Sequence, residues 1–195
     1  MKEIEDSTLL LFSDPTLDLH AGMRLSWYLG TERVNMHHEI ARLIELHSQR
    51  VDAKRVVLAG PSGGGYAALQ ASSYLPDSSV VVSSPQVTLG NYFPSAVERA
   101  YKVAAGTNTP DEEWKRRTDA VAAFESVDFA RDVFYLQNKG DTHHMQRHFK
   151  PFVDAYKKSG NVERLRVITA DQGAGHRAAK PEQIRHYIEQ AIADA

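Results

Sequence analysis

The chain has 195 residues, enough for one domain with a sizeable core and short for two. A hydrophobic content of 42%, a charged content of 25% and a formal net charge of −2 suit a globular protein and give no electrostatic case for nucleic acid or an acidic membrane. With no cysteine, disulfides, thiolate nucleophiles and thiolate-bound metals are excluded. No stretch approaches the ~20 apolar residues of a membrane span, and no basic segment followed by an apolar run opens the chain, so the expected location is cytoplasmic.

Thr8 to Ser13 is a compact apolar run stopped by Asp14-Pro15 and reads as a buried strand. Leu17 to Val34 is irregular, with Trp27, Tyr28 and Leu29 before Gly30, and suits a loop with a short helix. From Asn35 onward Ile40, Leu43, Ile44 and His47 recur three or four residues apart, which predicts a helix ending near Arg50 with one face on a sheet. Val56 to Ala59 is a second buried strand. It breaks at Gly60 and runs through Pro61, Ser62 and three glycines into a helix over Tyr66 to Ser73.

Ser79 to Ser83, Val133 to Gln137 and Leu165 to Thr169 are further short apolar runs, each closed by turn-forming residues. Helical patterns follow the last two, over His144 to Lys158 and Pro181 to Ile192. Between the third and fourth strands the character changes, with Tyr92-Phe93-Pro94, an amphipathic Val97 to Ala105, the turn Thr107 to Pro110 and a charged helix around Trp114 to Phe124. This helical insertion, about residues 90–128, suits a lid or pocket wall as well as it suits plain helical cover for the sheet. Strands alternating with helices, and apolar throughout instead of every second residue, give the fold class: α/β, a mainly parallel sheet with helices on both faces. The expected organisation is a single domain, 1–195, with 91–128 as its lid or insertion.

Gly60, Ser62 and Gly64 match G-x-S-x-G, in which a sharp strand-to-helix turn lifts a serine hydroxyl out of the backbone. Small neighbours are a steric need there, because backbone atoms crowd and the serine adopts a rarely populated dihedral region. The alternatives are a glycine-rich connection that merely packs tightly, or an anion cradle at a helix N-terminus. The cradle ranks lower, for the chain lacks the Lys-Ser/Thr ending of a P-loop and the G-x-G-x-x-G spacing.

In an open parallel sheet the functional crevice lies at the carboxyl ends of the strands. Ser62, Asp141 and His176 each fall just past a different strand end. A hydroxyl becomes a nucleophile when an imidazole takes its proton, and a carboxylate behind the imidazole fixes the tautomer. Ser62, His176 and Asp141 are therefore the candidate nucleophile, base and acid, with Asp171 as the alternative acid and a helix N-cap as the plain role for Asp141. Asp141, His144 and His148 also lie at i, i+3 and i+7, a spacing open to a metal. Packing or hydrogen bonding near the rim of the site is the favoured role of these histidines, and no metal and no cofactor are assigned.

The order Ser, Asp, His together with this strand pattern resembles the α/β-hydrolase fold serine hydrolases, of esterase or acyltransferase type, along the chain from its first strand to its closing helix. Smaller motifs are similar to hydrolase-like proteins encoded with bacterial surface-polysaccharide machinery: D-P-T-L at Asp14 to Leu17, W-Y-L-G at Trp27 to Gly30, and D-x-x-H-x-x-x-H-x-x-P-F from Asp141 to Phe152. The resemblance implies an acyl-enzyme on Ser62, a Gly63 amide as one oxyanion donor, and a second donor from an earlier loop, for which Asp14-Pro15-Thr16 makes Thr16 the candidate. Tyr92 is a candidate binding residue. Only one expected strand precedes the helix leading to Ser62, so the hydrolase-like core has a shortened N-terminus. The expected substrate is a small-molecule or glycan-borne ester, and an unpaired sheet edge would permit a homodimer. The rival reading is a non-catalytic hydrolase-like module that binds a glycan or a partner protein.

Overall fold

The computed structural model describes residue 4, residues 6–105 and residues 111–194. Four strands form one sheet: β1 (Val56–Pro61), β2 (Ser78–Ser83), β3 (Asp132–Asn138) and β4 (Leu165–Ala170). They lie in the order β1-β2-β3-β4, every pair parallel, with Val57 opposite Ser79, Val81 opposite Phe134 and Tyr135 opposite Val167. Parallel neighbours need crossovers, and helices supply them. They are α1 (Met36–Arg50), α2 (Ser62–Ser72), α3 (Pro94–Ala104), α4 (Glu112–Thr118), α5 (Ala120–Glu125), α6 (Thr142–His144), α7 (Lys150–Ser159) and α8 (Pro181–Ala193).

The central strands are apolar on both faces because both faces are covered. Val80, Val82, Val133 and Tyr135 join the larger core beneath α1 to α5 and α7, while Val81, Phe134 and Leu136 point the other way against Ile188 and Ala191 of α8. Alternation along the strand thus divides one apolar run between two cores.

Two expectations are corrected. Thr8 to Ser13 forms no strand: Leu9, Leu10 and Leu11 are exposed, and β1 is the edge of the sheet. A strand exists only where a partner takes its backbone bonds, and apolar composition does not provide one. The helix expected around Trp114 to Phe124 is two helices broken at Asp119, whose extended backbone forms a bridge with Thr88 and whose carboxylate caps α5 by accepting the Val121 amide at 2.8 Å. The turn Thr107 to Pro110 lies outside the described residues. Trp114 is buried against Tyr101, and the Tyr66 hydroxyl of α2 donates to the Arg117 carbonyl at 2.7 Å, so α4 packs on the back of α2.

Candidate active site

Ser62 opens α2 directly after β1, with φ +48°. A non-glycine residue in that region is strained, and close packing on either side holds it there. A Cβ on Gly60 would sit 2.5 Å from the Gly64 carbonyl carbon, and one on Gly65 would sit 2.7 Å from the Gly60 oxygen. Gly60 and Gly65 are thus the pair that lets the strand and helix backbones touch. A Cβ on Gly64 would meet only Pro61 Cδ, at 3.9 Å, so the second glycine of G-x-S-x-G is not the one the turn needs.

The structure brings the three widely spaced polar residues together. His176 Nε2 lies 3.0 Å from Ser62 Oγ, and His176 Nδ1 lies 2.8 Å from Asp141 Oδ2. Asp171 instead accepts the Gly173 amide in its own turn, away from His176. Asp141 is both N-cap and histidine partner: one oxygen accepts the His144 amide at 3.0 Å and the other faces His176. Burial pushes its carboxyl up, but the His144 amide and the imidazoles outweigh burial and hold it below the ordinary carboxylate range.

Asn138, at the end of β3, aligns the two loops that carry Asp141 and His176. Its Nδ2 donates to the carbonyls of Gly173 and Gly175, each at 2.9 Å, while its Oδ1 accepts the amides of Gly140 and Gln172 at 3.1 and 3.0 Å. All four partners are backbone, so one side chain bridges the aspartate loop and the histidine loop.

A π-helical turn, Met145–Phe149, follows α6 and sets His144 beside His148, ring centroids 5.0 Å apart. The His144 ring also stacks on His176 at 4.1 Å with an interplanar angle of 19°, and its Nδ1 lies 2.9 Å from Asp141 Oδ2, out of line for a good hydrogen bond. Burial first, then the neighbouring His176, lower the His144 pKa to about 4; burial and the His144 and His143 rings lower that of His148 to about 3. Both are neutral at pH 7. His148 Nδ1 accepts the Val87 amide at 3.2 Å, which directs it away from the Asp141 carboxylate. Asp141, His144 and His176 present ligand atoms within 4.8 Å of one another, but a cation there would replace the His176–Asp141 hydrogen bond.

The second oxyanion donor is not Thr16, whose amide donates to Asp14 Oδ1 at 3.0 Å. Thr16 Oγ1 accepts the Gly30 amide at 2.8 Å, and Asp14 Oδ2 accepts the Ser26 hydroxyl and the Tyr28 amide, each at 2.7 Å. Asp14 and Thr16 thereby tie the D-P-T-L segment to W-Y-L-G and fix a loop in which Trp27 and Tyr28 both have positive φ, +52° and +57°. That loop abuts the serine turn: a Cβ on Gly63 would meet Leu25 Cδ1 at 2.6 Å and Trp27 Cδ1 at 3.6 Å. Gly63 is buried at the start of α2, where unpaired helical amides and the helix dipole favour negative charge.

Tyr92 stands edge-on to Trp27 at 5.6 Å and lies about as close to His143, His144 and His148, while the exposed Phe93 stacks on His143 at 4.8 Å. Of the expected lid, these two aromatics reach the histidines. Besides Asn138, sequence reasoning missed Gln86, wholly buried two positions past a strained Ser84 (φ +43°), its Nε2 3.2 Å from Ser62 Oγ. A serine with positive φ leaves no mark in the sequence, so nothing there points to the turn that delivers this side chain.

Comparison with solved structures places the architecture among α/β-hydrolase-like folds. The capsule O-acetyltransferase of Neisseria meningitidis serogroup A superposes with a TM-score of 0.60 at 16% identity, covering 86% of this chain and 68% of that one. A histidine-to-alanine variant of that enzyme in complex with CoA gives 0.57 at 17% identity, over 86% and 67% of the two chains. A carboxylesterase structure from the thaumarchaeon Nitrososphaera gargenis gives 0.51 at 11% identity, over 85% and 79%. No protein-family model and no curated protein sequence matches the chain.

Proposed function

We propose that the protein is a serine-dependent enzyme acting on carboxylic esters, as a hydrolase or an acyl transferase, through an acyl-enzyme on Ser62. The observation that carries this reading is the unbroken line from Ser62 Oγ to His176 Nε2 at 3.0 Å and from His176 Nδ1 to Asp141 Oδ2 at 2.8 Å, assembled from three separate strand ends. His176 takes the hydroxyl proton as Oγ attacks the acyl carbon, and then returns it to the departing alcohol or thiol. Asp141 holds the imidazole with its proton on Nδ1 and stabilises the imidazolium. The Gly63 amide faces the developing oxyanion. Water or an acceptor hydroxyl, deprotonated by the same imidazole, releases the acyl group.

The substrate class follows from the same surroundings. Phe93 stacked on His143, with Tyr92 edge-on to both, puts aromatic surface next to the histidine cluster, which suits a small acyl group carried on a sugar. The capsule O-acetyltransferase that shares this fold motivates that choice. An organophosphonate probe should label the wild type at Ser62 and leave Ser62→Ala unlabelled, and the same substitution should lower short-chain aryl ester turnover by about 10⁴-fold or more. Equal labelling of both proteins overturns the reading.

A further inference from the structure

Behind Ser62 the hydrogen-bond pattern admits only one arrangement of the Gln86 amide. Trp27 Nε1 lies 3.1 Å from Gln86 Oε1, and an indole N–H can only donate. The oxygen of the amide must therefore face Trp27, and the NH₂ must face the other way. On that side stand two atoms: Ser62 Oγ at 3.2 Å and His144 Nε2 at 2.9 Å. The first distance is at the long end of the normal range for an N–H···O bond and the second is well within it. His144 Nε2, facing a donor, must be the bare nitrogen, so its proton is on Nδ1, beside Asp141 Oδ2. The chain of contacts closes into a ring: Ser62, Gln86, His144, Asp141, His176 and back to Ser62.

We propose that Gln86 is a catalytic residue that donates a hydrogen bond to the Ser62 oxygen, and that Trp27 and His144 are positioning residues which hold its amide with the donor end toward the serine. This rests on the reading of Ser62 as the nucleophile. The Ser62 oxygen has one hydrogen to give and accepts from Gln86, so the hydroxyl proton is directed to His176, the acceptor at 3.0 Å. As that proton leaves, negative charge grows on Oγ, and the Gln86 N–H is already in place to stabilise it without reorganisation. In the second half of the reaction Oγ becomes the leaving oxygen of the acyl-enzyme, and the same N–H stabilises its departure. The donor comes from a buried side chain after β2, so it is separate from the Gly63 amide proposed for the oxyanion and acts on a different oxygen.

The fixed ends matter as much as the donor. A buried glutamine with its amide turned round would offer its oxygen to Ser62, and an acceptor there would pull the hydroxyl proton away from His176. The Trp27 indole, which can only donate, rules out that orientation, and His144 adopts the tautomer that accepts from the amide so placed.

The test follows the rate at which an organophosphonate labels Ser62, together with kcat and KM on a short aryl ester. Gln86→Met keeps the length and apolar stem of the side chain and removes both donors. Its labelling rate and kcat should fall by about 10- to 100-fold, with KM within about twofold of wild type, because the lost bond strengthens only as charge develops. Trp27→Phe leaves Gln86 in place but frees its amide, and should lower both rates by about 3- to 10-fold. In the double variant Trp27→Phe should add nothing to Gln86→Met, since it acts through that amide. A Gln86→Met protein labelled at the wild-type rate overturns the proposal and leaves the serine reading intact. Additive losses in the double variant overturn the positioning role of Trp27. A wild type that fails to label at all removes both readings.

Discussion

Three histidines, His37, His144 and His148, are almost wholly buried, and their interactions make the protein sensitive to acid. Burial lowers each: His37, whose Nε2 lies 2.7 Å from the Trp27 carbonyl, titrates at about 4, as does His144, and His148 at about 3. In the unfolded chain each would take up a proton near the ordinary 6.5. Between pH 6.5 and pH 4 the unfolded state therefore binds more protons than the folded one, and stability rises with pH across that window and is lost as pH falls. Each such group contributes a slope of up to about 1.4 kcal/mol per pH unit. Asp141, whose carboxyl is held below its usual value of 3.8, adds a loss of the same sign only at still lower pH. Replacing His37 with Met should lower stability at neutral pH, because the Trp27 carbonyl loses its partner. It should also flatten the pH dependence between 6 and 4 by up to about 1.4 kcal/mol per unit, as read from urea midpoints at several pH values. An unchanged slope would mean that His37 is protonated in the native state.

At the scale of elements, the turn between β1 and α2 separates what a motif says from what the backbone needs. In G-x-S-x-G the glycines flanking the serine attract notice, yet the close approach is between Gly60 and Gly65, one residue beyond the pattern. Gly65→Ala would force a Cβ to within 2.7 Å of the Gly60 oxygen and 3.1 Å of Pro85 Cβ, both in rigid segments. It should cost about 1–3 kcal/mol and slow labelling of Ser62. Gly64→Ala has open space and a helical backbone, and should stabilise by about 0.5–1 kcal/mol, raising the thermal midpoint. The opposite ranking of the two variants would show that the turn is packed differently. Strands β1 to β4 and the order Ser62, Asp141, His176 were legible in the sequence because each strand is a short apolar run closed by turn-forming residues, continuous where β2 and β3 are buried on both faces, and the three polar residues fall just past strand ends. Gln86 and Asn138 were not, since a single amide side chain has no period, and its role depends on which atoms meet it. The strained pair Trp27 and Tyr28 was equally hidden, because it is held by Asp14, more than ten residues away in sequence.

On the scale of the whole molecule, the sheet has helices on both faces and unpaired strands at its ends. β1 carries the serine turn and is also an edge, so among the described residues no strand pairs with its outer side. Thr8 to Ser13 has the composition of a core strand and yet runs exposed, which is why sequence reading placed it in the sheet: composition reports what a segment could pair with, and topology decides whether the partner's edge is used. Leu9 and Leu11 are 56% and 83% exposed. An exposed apolar segment and an open strand edge on one chain are both surfaces able to pair with a second copy. Burying the exposed part of each leucine in such a contact is worth about 1–2 kcal/mol, or roughly 5- to 30-fold in association. Sedimentation velocity should show concentration-dependent association of the wild type. The paired substitution Leu9→Lys and Leu11→Lys should raise the concentration needed by more than about 100-fold, while labelling of Ser62 is unchanged because neither leucine contributes to that site. A wild type whose sedimentation does not change with concentration would show that the exposed run and the sheet edge are not used for self-association.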